Sequence, residues 1–222
     1  MRTPVIILNF KAYKESSGER GLELARTCEG IAKETGKSIA IAPQQIDLSL
    51  TVKEVDIPVL AQHVDPIDEG SFTGHVPPSS VKAIGAKGTL INHSERQLPV
   101  EVIKMTVQKC REVGLETIVC ANDVEMSRVV ASFCPDYIAV EPPELIGGDV
   151  SVTSAKPEVV SSTVKKVKEV SSEVTVLCGA GVRDGKDVRK AIELGTEGVL
   201  LASSVVKAKD PRSAILNLIE GL

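Results

Sequence analysis

Three side chains of this 222-residue chain have the types needed to move a proton and hold the charge that results: Glu141, His93 and Lys11. Glu141 follows a short apolar run, Tyr137 to Val140, and precedes Pro142-Pro143, whose fixed φ forbids a continued ladder. An apolar tip, Leu145-Ile146, and a glycine pair, Gly147-Gly148, come next. Stiff entry, apolar tip and glycine exit read as a hinged lid over 142–148 with a general base at its root. His93 is followed by Ser94, which can cap a helix beginning about Glu95. The positive end of that helix would lower the imidazole pKa and favour a neutral ring that donates a hydrogen bond. Lys11, in Asn9-Phe10-Lys11, can stabilise negative charge developing on an oxygen, with Glu95 as its ion-pair partner. Taken singly, each also fits a bland role: a solvated loop carboxylate, a satisfied structural histidine, a surface lysine.

Only a scaffold that brings these positions to one place makes chemistry of them. Eight short apolar or β-branched segments recur: 5–8, 38–42, 59–61, 88–91, 117–119, 137–140, 175–177 and 198–201. Stretches of helical period lie between most of them. Leu24, Cys28 and Ile31 give one buried stripe; Val100, Ile103, Val107 and Cys110 give another. After the second and third strands only short helices fit, within 44–53 and 78–84. Strand and helix alternating eight times, with no linker or charge block, predict one α/β domain over 1–222, a single-domain (β/α)8 barrel with eight parallel strands. A doubly wound open sheet is the alternative, but no glycine-rich fingerprint follows the first strand.

In such a barrel the C-terminal strand ends share one rim. Asn9 and Lys11 end the first strand, His93 to Arg96 the fourth, Glu141 the sixth. Gly179-Ala180-Gly181 ends the seventh and Ala202-Ser203-Ser204 the eighth. Small-residue turns opening toward helix N-termini hold phosphate through backbone N–H groups. Cys120, at the end of the fifth strand, reads as a rim-packing thiol, and His63 and His75 as structural or surface groups.

Composition narrows the partners. A net charge of −4 supplies no basic field for nucleic acid, and three Phe, two Tyr and no Trp leave little for stacking on bases. No apolar run approaches a membrane span, and the first apolar segment is too short for a secretory leader. Five cysteines with no Cys-x-x-Cys pair, mostly inside apolar segments, predict free buried thiols in a reducing cytoplasm. His63, His75 and His93 lack ligand spacing, so no metal is expected.

The order Asn9-x-Lys11, His93-Ser94-Glu95-Arg96, Glu141-Pro142 and Ile146-Gly147 resembles the triosephosphate isomerase family over essentially the whole chain. Gly70-Ser71-Phe72-Thr73-Gly74, Ile118-Val119-Cys120 and Gly198-Val199-Leu200 extend the likeness. The resemblance implies a TIM barrel that interconverts dihydroxyacetone phosphate and glyceraldehyde 3-phosphate, small phosphorylated trioses, without a cofactor, in glycolysis and gluconeogenesis. It assigns Glu141 as base, His93 as neutral electrophile and Lys11 as enediolate stabiliser. Asn9 orients a substrate oxygen, and Glu95 fixes Lys11. Phosphate would be held by N–H groups of Gly147 on the lid and of residues near Gly179, Ala180, Gly181, Ala202 and Ser203. That family is itself the standard worked example of a Glu base, a neutral His and a closing loop, so this division of labour is carried over from it.

The chain departs from the commoner form of the family. It is short, its lid lacks the usual Val-Trp-Ala, and Ala202-Ser203-Ser204 stands where paired glycines are common. These features resemble the archaeal branch and imply a homo-oligomer: at least a dimer through the loop at Phe72-Thr73-Gly74, and a tetramer by that likeness. Competing assignments are another phosphosugar isomerase or epimerase and a non-catalytic phosphate-sensing barrel. An epimerase would want metal-binding His and Asp at several strand ends. The second gives no reason to keep Lys11, His93 and Glu141 together.

Overall fold

Runs such as Val5–Asn9 (VIILN) and Tyr137–Val140 (YIAV) are buried along their whole length, so they pair as strands covered on both faces. The structure, a computed structural model, describes residues 1–142 and 156–222. The expected lid beyond Pro142, with Ile146 and Gly147, lies outside the described residues.

The strands are β1 (Val5–Asn9), β2 (Ser38–Ala42), β3 (Leu60–Ala61), β4 (Gly88–Ile91), β5 (Glu116–Ala121), β6 (Tyr137–Val140), β7 (Thr175–Cys178) and β8 (Gly198–Leu201). All pairs are parallel, in the order β2-β1-β8-β7-β6-β5-β4-β3. The barrel closes where β2 meets β3, through a bridge between Ile41 and Val59 and a 3.0 Å bond from the Ile41 N–H to the Pro58 carbonyl. Alternation along each strand divides the core in two. Val5, Ile7, Leu90, Ile118, Leu177 and Leu200 fill the barrel interior. Ile6, Leu8, Ile39, Ile91, Val119 and Val176 face the helices. This is the (β/α)8 TIM barrel.

Helices α1 (Glu19–Thr35) and α4 (Val100–Glu112) bury the stripes read from sequence: Leu24, Cys28 and Ile31 on the first, Ile103, Val107 and Cys110 on the second. α2 (Leu48–Glu54), α3 (Pro78–Ala83) and α5 (Val124–Ala131) are short. α6 (Pro157–Val170) buries Val160, Thr163 and Val167, and the chain closes with α7 (Gly185–Glu193), α8 (Ser203–Val206) and α9 (Pro211–Ile219). Asp123, Asp184 and Asp210 cap α5, α7 and α9 by accepting backbone N–H bonds.

Two expectations are corrected here. No helix begins at Glu95. Residues 93–96 make a tight turn, closed by the Arg96 N–H on the His93 carbonyl at 2.7 Å, and α4 starts only at Val100. Pro99 explains the delay, because the residue before a proline is pushed out of the helical region, so the helix starts after it. The thiols also divide unevenly: Cys28, Cys110, Cys120 and Cys178 are buried, but Cys134 is exposed, on the loop leading into β6. No described helix is long and apolar enough to cross a membrane.

Candidate active site

Lys11 sits just past β1 with φ 49°, a left-handed conformation that costs a lysine energy and persists only when its surroundings hold it. They do so from three directions. Its N–H donates to Asn9 Oδ1 at 2.9 Å, its carbonyl accepts from Gln62 Nε2 at 3.1 Å, and its ammonium meets Glu95 Oε1 at 2.7 Å. Gln62 also donates to the Ala42 carbonyl at 2.9 Å, so the ends of β1, β2 and β3 are tied through one amide. Asn9 is 4% exposed.

His93 is aimed by the residue before it. Asn92 has φ 61°, donates to the Cys120 carbonyl at 2.8 Å and accepts from the Leu98 N–H at 2.8 Å. The Glu95 N–H donates to His93 Nδ1 at 3.2 Å, which leaves the proton of the neutral ring on Nε2, facing the cavity. Burial first, and then the nearby Lys11 charge, push the imidazole pKa down to about 4. The neutral ring predicted from a helix dipole is therefore present for another reason: a turn N–H, burial and a lysine act where no helix forms.

Glu141 follows β6 and is 2% exposed. Its N–H donates to the Ala121 carbonyl at 2.7 Å, and its Oε1 lies 3.7 Å from His93 Nε2. Burial raises its pKa to about 7, against smaller opposing contributions from the Cys120 thiol, the Ser94 N–H and Lys11. Glu141 Oε2 is buried and has no hydrogen-bond partner among the described residues. A carboxylate with a buried, unpartnered oxygen is poised to accept a proton. Gly179 makes room for it, since a Cβ there would lie 2.6 Å from Glu141 Cγ and 3.1 Å from the Val140 carbonyl oxygen.

A cavity of about 210 Å³ is lined by these groups, Asn9, Lys11, His93 and Glu141, together with Gly179 to Arg183 and Ala202 to Ser204 from the turns after β7 and β8. The two small-residue turns differ from expectation in detail. The Gly179 N–H is used by the sheet, donating to the Val140 carbonyl at 2.9 Å, so this residue supplies space and no donor. The N-terminus of α7 is occupied by its own cap, Asp184, whose carboxylate accepts from Lys186 and Asp187. The Gly181, Ala202 and Ser203 N–H groups donate to no described residue. Ser94 carries no helix cap; its hydroxyl is buried without a partner among the described residues.

Sequence reading gave no role to Gln62 or Asn92, and it took Cys120 as packing. Strand alternation could have found Cys120, because it shares the inward face of β5 with Ile118 and so lies beside Glu141 at the end of neighbouring β6. Gln62 and Asn92 carried no signal, since their partners are distant carbonyls. His63 is buried beside Asp65 at 3.1 Å and His75 is exposed. Among the described residues no three His, Cys, Asp or Glu side chains cluster as a metal site would require.

The family model described as triosephosphate isomerase matches residues 4–221. The triosephosphate isomerase of Methanocaldococcus jannaschii is 53% identical over 216 residues, covering 97% of this chain and 99% of that protein. The Methanothermus fervidus protein of the same name is 53% identical over 219 residues, covering 99% of each. That of Methanopyrus kandleri is 51% identical over 224 residues, covering 100% of this chain and 99% of its own.

Proposed function

The chain belongs to the triosephosphate isomerase family of aldose–ketose isomerases, and from that premise we propose that it interconverts dihydroxyacetone phosphate and D-glyceraldehyde 3-phosphate through an enediolate. The observation that carries this reading is the meeting of Lys11, His93 and Glu141 at one cavity, with the carboxyl raised to about 7 and the imidazole lowered to about 4. Glu141 takes the proton from C1 of the ketose. The electron pair left behind forms the C1–C2 double bond, and the carbonyl π pair moves onto the C2 oxygen. His93 Nε2–H donates to that oxygen, and the Lys11 ammonium lowers the energy of its charge. His93 then passes a proton between the two oxygens, and Glu141 returns its proton to C2. Each group begins and ends in the same state, so the cycle needs no cofactor.

The remaining assignments are of the same kind. Asn9 orients substrate oxygen, Glu95 holds Lys11, and the phosphate is received by N–H groups of Ala180, Gly181, Ala202 and Ser203, together with Gly147 of the lid. The lid over 142–148 excludes water, so that the enediolate does not expel its phosphate. The working unit is one catalytic domain over 1–222, cytoplasmic, acting in glycolysis and gluconeogenesis. It assembles as a dimer at least and as a tetramer in full. Phe72 and Ile46 are 46% and 86% exposed. A second cavity of about 230 Å³, lined by Ala12, Gln45, Gln62, Val76 and Glu95, adjoins Lys11 and suits the 70–75 loop of a second copy.

A coupled assay on chelator-treated protein tests the reaction. Conversion of glyceraldehyde 3-phosphate, inhibited by the enediolate mimic 2-phosphoglycolate, is the expected result. A folded protein that converts neither triose overturns the proposal.

A further inference from the structure

We infer that Asn92 is a positioning residue for catalysis, whose side-chain amide clamps the loop that carries His93 and holds it in register with Glu141 across β5. The inference rests on the isomerase reading, which itself gives Asn92 no role.

His93, Ser94 and Glu95 stand on one short loop, and that loop reaches all three reacting side chains. It carries the imidazole itself, Glu95 meets the Lys11 ammonium at 2.7 Å, and the Ser94 N–H acts on the Glu141 carboxyl. The loop lies outside ladder and helix: β4 ends at Ile91, paired with Val119, and α4 starts at Val100. One side chain joins its two ends. Asn92 donates through Nδ2 to the Cys120 carbonyl at 2.8 Å and accepts through Oδ1 from the Leu98 N–H at 2.8 Å. A carbonyl can only accept and a backbone N–H can only donate, so both halves of the amide are used and its orientation is fixed. The backbone suits this use, since φ at Asn92 is 61°, a region in which Asn is enriched among residues that carry a side chain.

The choice of carbonyl on β5 carries the argument further. The next carbonyl along that strand, of Ala121, accepts from the Glu141 N–H at 2.7 Å. Two consecutive carbonyls of β5 thus hold the His93 loop on one side and the backbone of Glu141 on the other. His93 Nε2 and Glu141 Oε1 come to stand 3.7 Å apart. Inside the loop, the Arg96 N–H on the His93 carbonyl at 2.7 Å and the Glu95 N–H on His93 Nδ1 at 3.2 Å set the ring and leave its proton on Nε2. Those inner bonds depend on a closed loop, and Asn92 is the side chain that closes it.

Asn92→Gly separates the clamp from the turn, because glycine adopts positive φ without strain and removes both side-chain bonds. In the folded full-length variant, kcat for glyceraldehyde 3-phosphate is expected to fall about tenfold and KM to stay within about twofold, since a misplaced electrophile weakens the transition state more than ground-state binding. Asn92→Asp keeps an acceptor for the Leu98 N–H, loses the donor to Cys120, and should lower kcat by a similar factor. Nitrogen NMR of the imidazoles, with the His93 signals identified by their loss in His93→Gln, reads the ring without reference to turnover. The parent ring should carry its proton on Nε2, and Asn92→Gly should show a mixture of the two tautomers. Parental kcat, or a ring still protonated on Nε2 alone, in folded Asn92→Gly overturns the inference and leaves the isomerase reading standing. A parent protein that converts neither triose overturns both.

Discussion

Burial moves two titratable side chains of the candidate site, Glu141 and His93, in opposite directions, and each shift has a measurable sign. Glu141 titrates at about 7 and His93 at about 4, so between those values the imidazole is neutral while the carboxyl is still gaining ionisation. The acid limb of kcat/KM should therefore fall below about pH 7, tenfold per pH unit, above the second phosphate pKa of about 6. A limb centred near 4.5 would mean that Glu141 is not the base. The same shift bears on stability. The folded pKa of Glu141 exceeds its ordinary value of 4.5, so its contribution is most favourable below about pH 4.5 and is lost as pH rises through about 7. Glu141→Gln should accordingly stabilise the protein by roughly 1–3 kcal/mol at about pH 8 and by little at pH 4.5, while lowering turnover at least 10²–10⁴-fold. Denaturant melts at the two pH values check the first, and the coupled assay the second. His93 has the opposite sign: its lowered pKa withdraws stability as pH falls from 6.5 toward about 4, and that contribution largely cancels in the comparison. That Lys11, His93 and Glu141 line one cavity was legible in the chain because each follows a strand end. The cause of the neutral imidazole was not, because a turn N–H and burial are tertiary facts.

At the scale of elements, glycines mark where backbone and side chain come closest. Gly179→Ala would drive a methyl into Glu141 Cγ, at 2.6 Å, so kcat should drop about 10²-fold while the fold survives at a cost of about 1–3 kcal/mol. Activity at the parent level in a folded Gly179→Ala protein would show that this contact does not set the position of the base. Gly185, at the first residue of α7, would place a Cβ 2.3 Å from the Asn217 carbonyl of α9, so Gly185→Ala should lower the melting temperature without a specific loss of kcat. The seam between β2 and β3 is the thinnest part of the sheet, with β3 only two residues long and a single bridge across. Amides there should exchange with solvent before those of β1 and β5 in a hydrogen-exchange experiment. Eight strands and the buried stripes of α1 and α4 could be read from periodicity alone. The helix expected at Glu95 could not, because the effect of Pro99 on the preceding residues outweighs the capping pattern of Ser94.

For the whole molecule, the question is how many copies work together. The loop from Asp65 to Val76 is closed on itself by the Asp65 N–H on the Val76 carbonyl at 2.9 Å and the Val76 N–H on Asp65 Oδ2 at 2.7 Å, and it carries Phe72 outward. Phe72→Asp should shift the assembly toward monomer in light scattering and lower activity with it. A parent protein that is already monomeric at micromolar concentration would refute the oligomer. The same overall layout has a practical side. Burial holds the Cys28, Cys110 and Cys178 thiols up at about 12 and Cys120 well above its usual range, whereas Cys134 lies exposed where the chain enters β6, at the opposite end of that strand from Glu141. A maleimide dye should thus attach once per native chain and leave turnover intact. That gives a fluorescent reporter for counting subunits without engineering a single residue.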